Sequence, residues 1–112
     1  MNKVIAVDFD GTLCVSAYPD IGPPRGDILR KLKKEQCDGA KIILWTCREG
    51  TLLQDALRWC YRRGIKFDAV NANLPERIAL FWTDPRKIGA DEYWDDKAWN
   101  PNGYAFVSTE SK

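Results

Sequence analysis

Val4-Ile5-Ala6-Val7 runs straight into Asp8-Phe9-Asp10-Gly11-Thr12, and this junction constrains the fold more than any other stretch. The apolar run has the length and β-branched content of one buried strand. At its exit stand two carboxylates and a glycine, which permits a backbone turn other residues resist. Strand side chains alternate faces, so Asp8 and Asp10 point the same way while Phe9 points into the packing. Like charges that close demand a cation or a shared proton between them. The junction therefore reads as a site as well as a strand end.

Residues 14–25 read as a loop or small flap, since Gly22-Pro23-Pro24 opposes regular structure. Asp27 to about Cys37 has a helical apolar stripe, Ile28, Leu29 and Leu32, with Asp38-Gly39 as its stop. Lys41–Thr46 is a second strand, apolar without alternation, as expected when both faces are covered. Thr51 is the expected N-cap of a second helix that runs to about Arg63, buries Leu52, Leu53, Ala56, Leu57, Trp59 and Cys60, and ends at Gly64. Phe67–Asn71 is a third strand, and Pro75 opens a helix to about Trp82. Ala90–Trp94 is a fourth strand, more polar and so nearer an edge, running into Asp95-Asp96. Residues 99–112 read as an irregular tail, with a short strand around Tyr104–Val107.

Strands alternating with helices imply an α/β fold with a parallel sheet and right-handed crossovers. Ligands then bind outside the C-terminal strand ends. Those exits carry Asp8 and Asp10, Thr46, Asn71, and Asp95 and Asp96.

At 112 residues the chain is expected to form one domain, residues 1–112. A net charge of +1 offers no general attraction for nucleic acid or an anionic membrane, and no apolar run has transmembrane length. The apolar run before Asp8 is too short for a signal peptide, so a cytoplasmic protein is expected. Cysteines stand at 14, 37, 47 and 60 without a CxxC pair, which speaks for reduced thiols over zinc or redox chemistry. The complete lack of histidine removes Ser-His-Asp and Cys-His catalysis and most zinc enzymes. What is left is a hard-cation site of oxygen ligands, for which Mg²⁺ fits best. Asp8 is placed as a nucleophile, Asp10 as acid and base, and Thr46 as a hydrogen-bond donor to a phosphoryl oxygen.

Asp8-Phe9-Asp10-Gly11-Thr12 resembles the DxDGT signature of the haloacid dehalogenase superfamily, whose commonest members are Mg²⁺-dependent phosphatases. Thr46 after strand two, the basic Lys87, and the acidic pair Asp95-Asp96 follow in the family's order, so the motifs span residues 8–96. The resemblance implies that Asp8 is nucleophile and metal ligand, that Asp10 is acid/base with its backbone carbonyl on Mg²⁺, and that Asp95 and Asp96 complete the metal site. It implies a Rossmann-like three-layer α/β/α sandwich with strand order 4-1-2-3. Caps are nearly absent, as in the family's capless group, whose open sites act on large substrates or are closed by a partner subunit.

The phosphate-binding cation has three candidates. A continuous strand from Lys87 to Asp95 would span roughly 25 Å, leaving Lys87 at the wrong end of the sheet unless the chain folds back. Lys97 and Arg48 are the others, and Lys87 is the expected choice. Cys47, Arg48 and Asn71 join Thr46 as substrate-binding candidates, with Tyr18 as a lid over a small substrate. The bland readings are a turn for Asn71, a local ion pair for Arg48 and core packing for the tryptophans. The expected function is a Mg²⁺-dependent phosphatase acting on a phosphomonoester, a small molecule or a macromolecular end, through an aspartyl-phosphate. A catalytically weak phosphate- and metal-binding module and a phosphotransferase are the alternatives, and a nucleic-acid track is the minority reading.

Overall fold

A computed structural model describes residues 2–72, 74, 90–95 and the backbone of 105–108. Strand β1 (Val4–Val7) is buried along its whole length, and β4 (Lys41–Leu44) nearly so. They pair in parallel, Val4 opposite Lys41 through Val7 opposite Leu44. On the other side of β1 lies β6 (Glu92–Asp95), also parallel, with Val7 opposite Trp94. The short β5 (Ala69–Val70) flanks β4, and β7 (Ala105–Ser108) flanks β6. The sheet order is β5-β4-β1-β6-β7.

Two differences from expectation follow. The fourth expected strand, β6, is not at the edge, because residues 105–108 of the expected tail form a strand outside it. Numbered over all strands, the order is 5-4-1-6-7 and not 4-1-2-3. A hairpin adds two strands early in the chain, and β7 widens the sheet.

That hairpin replaces the expected irregular flap. Strands β2 (Cys14–Ala17) and β3 (Asp20–Pro24) pair antiparallel around a cis Tyr18-Pro19 turn. Prolines are admitted because a two-stranded ribbon consists of edges, whose outward positions need no donor. Gly22 is required there: a Cβ would stand 2.1 Å from the Val15 carbonyl oxygen. The register shift between Cys14 and Ser16 bends the ribbon beside it.

Helix α1 (Gly26–Cys37) follows the hairpin, and α2 (Gly50–Arg62) follows β4. Thr51 lies inside α2, so the expected N-cap is displaced; Glu49 holds the capping position without a side-chain cap. Both helices pack on the face of the sheet that carries Ile5, Val7, Ile42 and Leu44. Ile28, Leu29 and Leu32 fill that interface from α1, and Ala56 and Cys60 from α2. Leu53, Leu57 and Trp59 reach it only half-buried, so the expected apolar side of α2 is only partly sealed. Truncating the fully buried Leu32 to alanine would cost ~2–5 kcal/mol by transfer and cavity terms. The alternate residues Val4, Ala6 and Ile43 face the other side, with Tyr93, Leu74 and Ala90.

Two aspartates close the N-terminal strand ends in the same way. Asp91 accepts the Val4 amide hydrogen at 2.7 Å, and its own amide hydrogen goes to the Val4 carbonyl at 2.7 Å. Asp68 does the same for Ile42, at 2.8 Å in each direction. Each seats a parallel strand against its neighbour where the ladder would otherwise leave a donor unpaired.

Candidate functional site

Crossovers leave β1 toward β4 in one direction, while β6 lies on its other flank. The C-terminal end of β1 is thus where the strand order reverses, the place where open parallel sheets form a crevice. Asp8 stands there. Its amide hydrogen goes to the Trp94 carbonyl at 3.0 Å, prolonging the β1–β6 ladder, and its Oδ1 accepts the Phe9 amide hydrogen at 2.8 Å. Phe9 itself is fully buried, as strand alternation predicts.

A cavity of about 190 Å³ opens at this point, lined by Asp8, Trp45, Thr46, Cys47 and Asp95. Three strand exits, those of β1, β4 and β6, therefore contribute Asp8, Thr46 and Asp95 to one space. Cys47 joins them as an exposed thiol. Trp45 stands at the rim, 47% exposed and edge-to-face with Tyr93 at 6.1 Å between centroids.

Thr46 is held from two sides. Its amide hydrogen goes to Asn71 Oδ1 at 2.7 Å, and its Oγ1 accepts the Arg48 amide hydrogen at 3.1 Å. With a lone pair so engaged, the hydroxyl keeps its hydrogen for an acceptor in the cavity. Asn71 sits at φ 52°, a conformation asparagine tolerates better than most residues. It orients Thr46 from behind and does not line the cavity.

Asp10 takes a different environment. After it the chain turns at Gly11, φ +84°, and Leu13 donates its amide hydrogen to the Phe9 carbonyl at 3.0 Å. Both Asp10 oxygens are held by Arg48: Nε donates to Oδ2 at 2.8 Å and Nη2 to Oδ1 at 2.7 Å. Arg48 is only 1% exposed, and its guanidinium also donates to the carbonyls of Pro19 at 3.2 Å and Asp20 at 2.9 Å. The hydrogen bonds to Asp10 raise the Arg48 pKa, against the opposing effect of burial. As a substrate-binding residue or phosphate cation, Arg48 is therefore poorly supplied: its donors already serve the protein.

Lys87, Lys97 and Asp96 lie outside the described residues. Among the described residues, no three acidic, thiol or imidazole side chains converge as a metal cluster. Thr12 Oγ1, two residues past Asp10, is buried without a hydrogen-bond partner among the described residues. A larger recess of about 440 Å³ separates the hairpin from α2, with Arg58, Arg62 and Trp59 on its wall. It contains none of Asp8, Thr46 and Asp95, which meet in the smaller cavity.

The hairpin's tie to Asp10 and the Asp68 and Asp91 strand ends escaped sequence reasoning. An aspartate immediately before each of two short strands was a usable signal for the second. For the first, Arg48 and Asp10 are 38 residues apart and no local pattern joins them.

A solved structure, of a conserved protein coded by a locus from Bacteroides thetaiotaomicron, is similar to this chain at 41% sequence identity. The match covers 88% of this chain and 78% of that one, with a TM-score of 0.75. The chain belongs to that protein's family. The shared architecture is the parallel α/β sheet described above, and the relative's description names no reaction or ligand. No family model and no curated protein matches the sequence.

Proposed function

We propose that this protein is a capless phosphomonoesterase of the haloacid dehalogenase type, dependent on Mg²⁺, with Asp8 as nucleophile. The observation that carries the reading is the convergence of Asp8, Thr46 and Asp95 on one cavity at the switch point of the sheet. The fold belongs to the same reading. Both described helices cover one face of a parallel sheet whose order reverses at β1.

The donors suit a hard cation. Asp8 and Asp95 offer carboxylates and Asp10 its backbone carbonyl, with Asp96 as a further ligand. A Mg²⁺ held by these groups would offset the charge of a phosphate dianion facing Asp8. The residues do the rest. An Asp8 oxygen attacks phosphorus as the bond to the leaving oxygen breaks, and Asp10 supplies that oxygen's proton. Water then attacks the aspartyl-phosphate, Asp10 takes its proton, and phosphate leaves with Asp8 restored. Thr46 donates to a phosphoryl oxygen throughout. In the pairing with Arg48, each Asp10 oxygen accepts one hydrogen bond, and proton exchange falls to the lone pairs those bonds leave.

That same pairing favours a second reading, a module that holds metal and phosphate without turnover. The two separate cleanly. Mg²⁺-dependent hydrolysis of a generic aryl phosphate, lost in Asp8→Asn with the melt nearly unchanged, supports the enzyme. Calorimetric Mg²⁺ binding with no turnover across sugar, nucleotide, polynucleotide-end and phosphoprotein substrates supports the module.

A further inference from the structure

We infer that Arg48 is a positioning residue, a pin through which the β2–β3 hairpin and the Asp10 carboxylate are held as one unit. Its catalytic half rests on the reading above; its structural half does not.

A guanidinium has five N–H donors in a rigid fork. In Arg48, Nε and Nη2 grip the two Asp10 oxygens at 2.8 and 2.7 Å, while Nη1 and Nη2 reach the hairpin turn at the Pro19 and Asp20 carbonyls. The group lies 5.0 Å from the centroid of Phe9 and 5.2 Å from that of Tyr18, an aromatic contact on the strand-exit side and one on the hairpin side. Tyr18 is itself 59% exposed, and its ring meets the Arg48 guanidinium from the hairpin side. Arg25 secures the other end of the ribbon, its amide hydrogen on the Leu13 carbonyl at 2.9 Å and Nη1 on the Gly11 carbonyl at 3.0 Å.

A charge 1% exposed cannot give up such partners without being left buried and unpaired, so Arg48 does not swing out to meet a phosphate. It does something else. Whatever displaces the hairpin, a bulky leaving group included, pulls on the group that orients Asp10. A lysine, one point charge without a fork, cannot hold the carboxylate and two carbonyls at once.

The test uses Arg48→Met, Arg48→Lys and Tyr18→Ala, the last keeping the charge pair and so the fold. Hydrogen exchange is read by mass spectrometry at residues 14–24 against 4–7 and 41–44. With an aryl phosphate as probe, kcat and KM are measured with and without added guanidinium ion. The pin predicts exchange at least tenfold faster in the hairpin of Arg48→Met, with the sheet strands unchanged, and about threefold faster in Tyr18→Ala. It predicts kcat down tenfold or more with KM within twofold, partial recovery by guanidinium, and little recovery in Arg48→Lys. Unchanged hairpin exchange overturns the pin. A raised KM at constant kcat overturns the positioning role and makes Arg48 a substrate contact. If the wild type turns nothing over, the enzymatic reading fails while the exchange data still decide the pin. If neither Arg48 variant folds, Tyr18→Ala decides by the same criteria.

Discussion

Asn71 accepts the Thr46 amide hydrogen at 2.7 Å while its own amide hydrogen goes to the carbonyl of Leu44, also at 2.7 Å. The end of β5 thereby sets the hydroxyl at the end of β4. Asn71→Ala is expected to cost about 1–2 kcal/mol, from an unpaired amide and a poorly tolerated positive φ. Under the phosphatase reading kcat falls about tenfold. Asn71→Asp keeps the acceptor and is expected to retain most of both. Urea unfolding with steady-state kinetics on the two variants checks this, and equal losses in both would show that the acceptor is not what matters.

The strand ends at Asp68 and Asp91 give a purely structural prediction. Asp91→Ala leaves the amide of the buried Val4 without its carboxylate, and Asp68→Ala does the same to Ile42. Each is expected to lower stability by about 1–3 kcal/mol, the cost of an unmet buried donor. Under the phosphatase reading metal affinity should hold, because both aspartates stand at the N-terminal ends of the strands, opposite the cavity. Denaturant midpoints and Mg²⁺ calorimetry measure the two quantities separately.

Thiol reactivity should divide evenly. Cys37 and Cys47 are exposed, whereas Cys14 and Cys60 are buried. Burial raises both buried thiols, that of Cys60 to about 12. At pH 8 a thiolate-selective reagent is expected to label two groups in the folded protein and four after denaturation. Labelling Cys47 fills part of the cavity beside Asp8 and should block phosphate binding, whereas Cys47→Ser should be immune.

Lys3 makes stability depend on pH at both ends of the range. Lys3 bridges Glu35 and Glu92, each at 2.7 Å. For Glu92, burial raises the pKa but is outweighed by the hydrogen bonds from Lys3 and the Trp94 indole, so the net direction is down. The Lys3 pKa is raised, chiefly by its hydrogen bonds to Glu35 and then Glu92. A carboxylate lowered on folding stabilises above its ordinary value of 4.5 and loses that as pH falls. A lysine raised on folding stabilises below its ordinary value of 10.5 and loses that above it. The contribution is therefore full between those limits. Lys3 is 41% exposed, and solvent screening holds each bridge to about 0.5–1 kcal/mol. Lys3→Met should lower Tm slightly at pH 7 and make the loss of stability below pH 4.5 shallower, as melts from pH 3 to 8 would record.

Much of this molecule was legible from short-range pattern. Continuous apolar runs announced β1 and β4, and the 3.6-residue stripe of Ile28, Leu29 and Leu32 announced α1, because burial on one side imposes its own period. Strand alternation put Asp8 at an exit and Phe9 in the core. The rule that parallel sheets bind at their C-terminal edge put Thr46 and Asp95 on one rim with Asp8, and all three line one cavity. Tertiary structure decided what depends on partners distant in sequence. It made residues 14–24 a hairpin despite three prolines, by supplying an edge that needs no donor and anchoring its turn. It added β7 outside β6, and it made Asn71, Asp68 and Asp91 acceptors for specific amides. Above all it buried the Arg48 guanidinium against Asp10, committing its donors to a carboxylate 38 residues away in the chain. Local sequence carries periodicity and turn chemistry; which charge meets which carboxylate is settled only when the chain closes on itself.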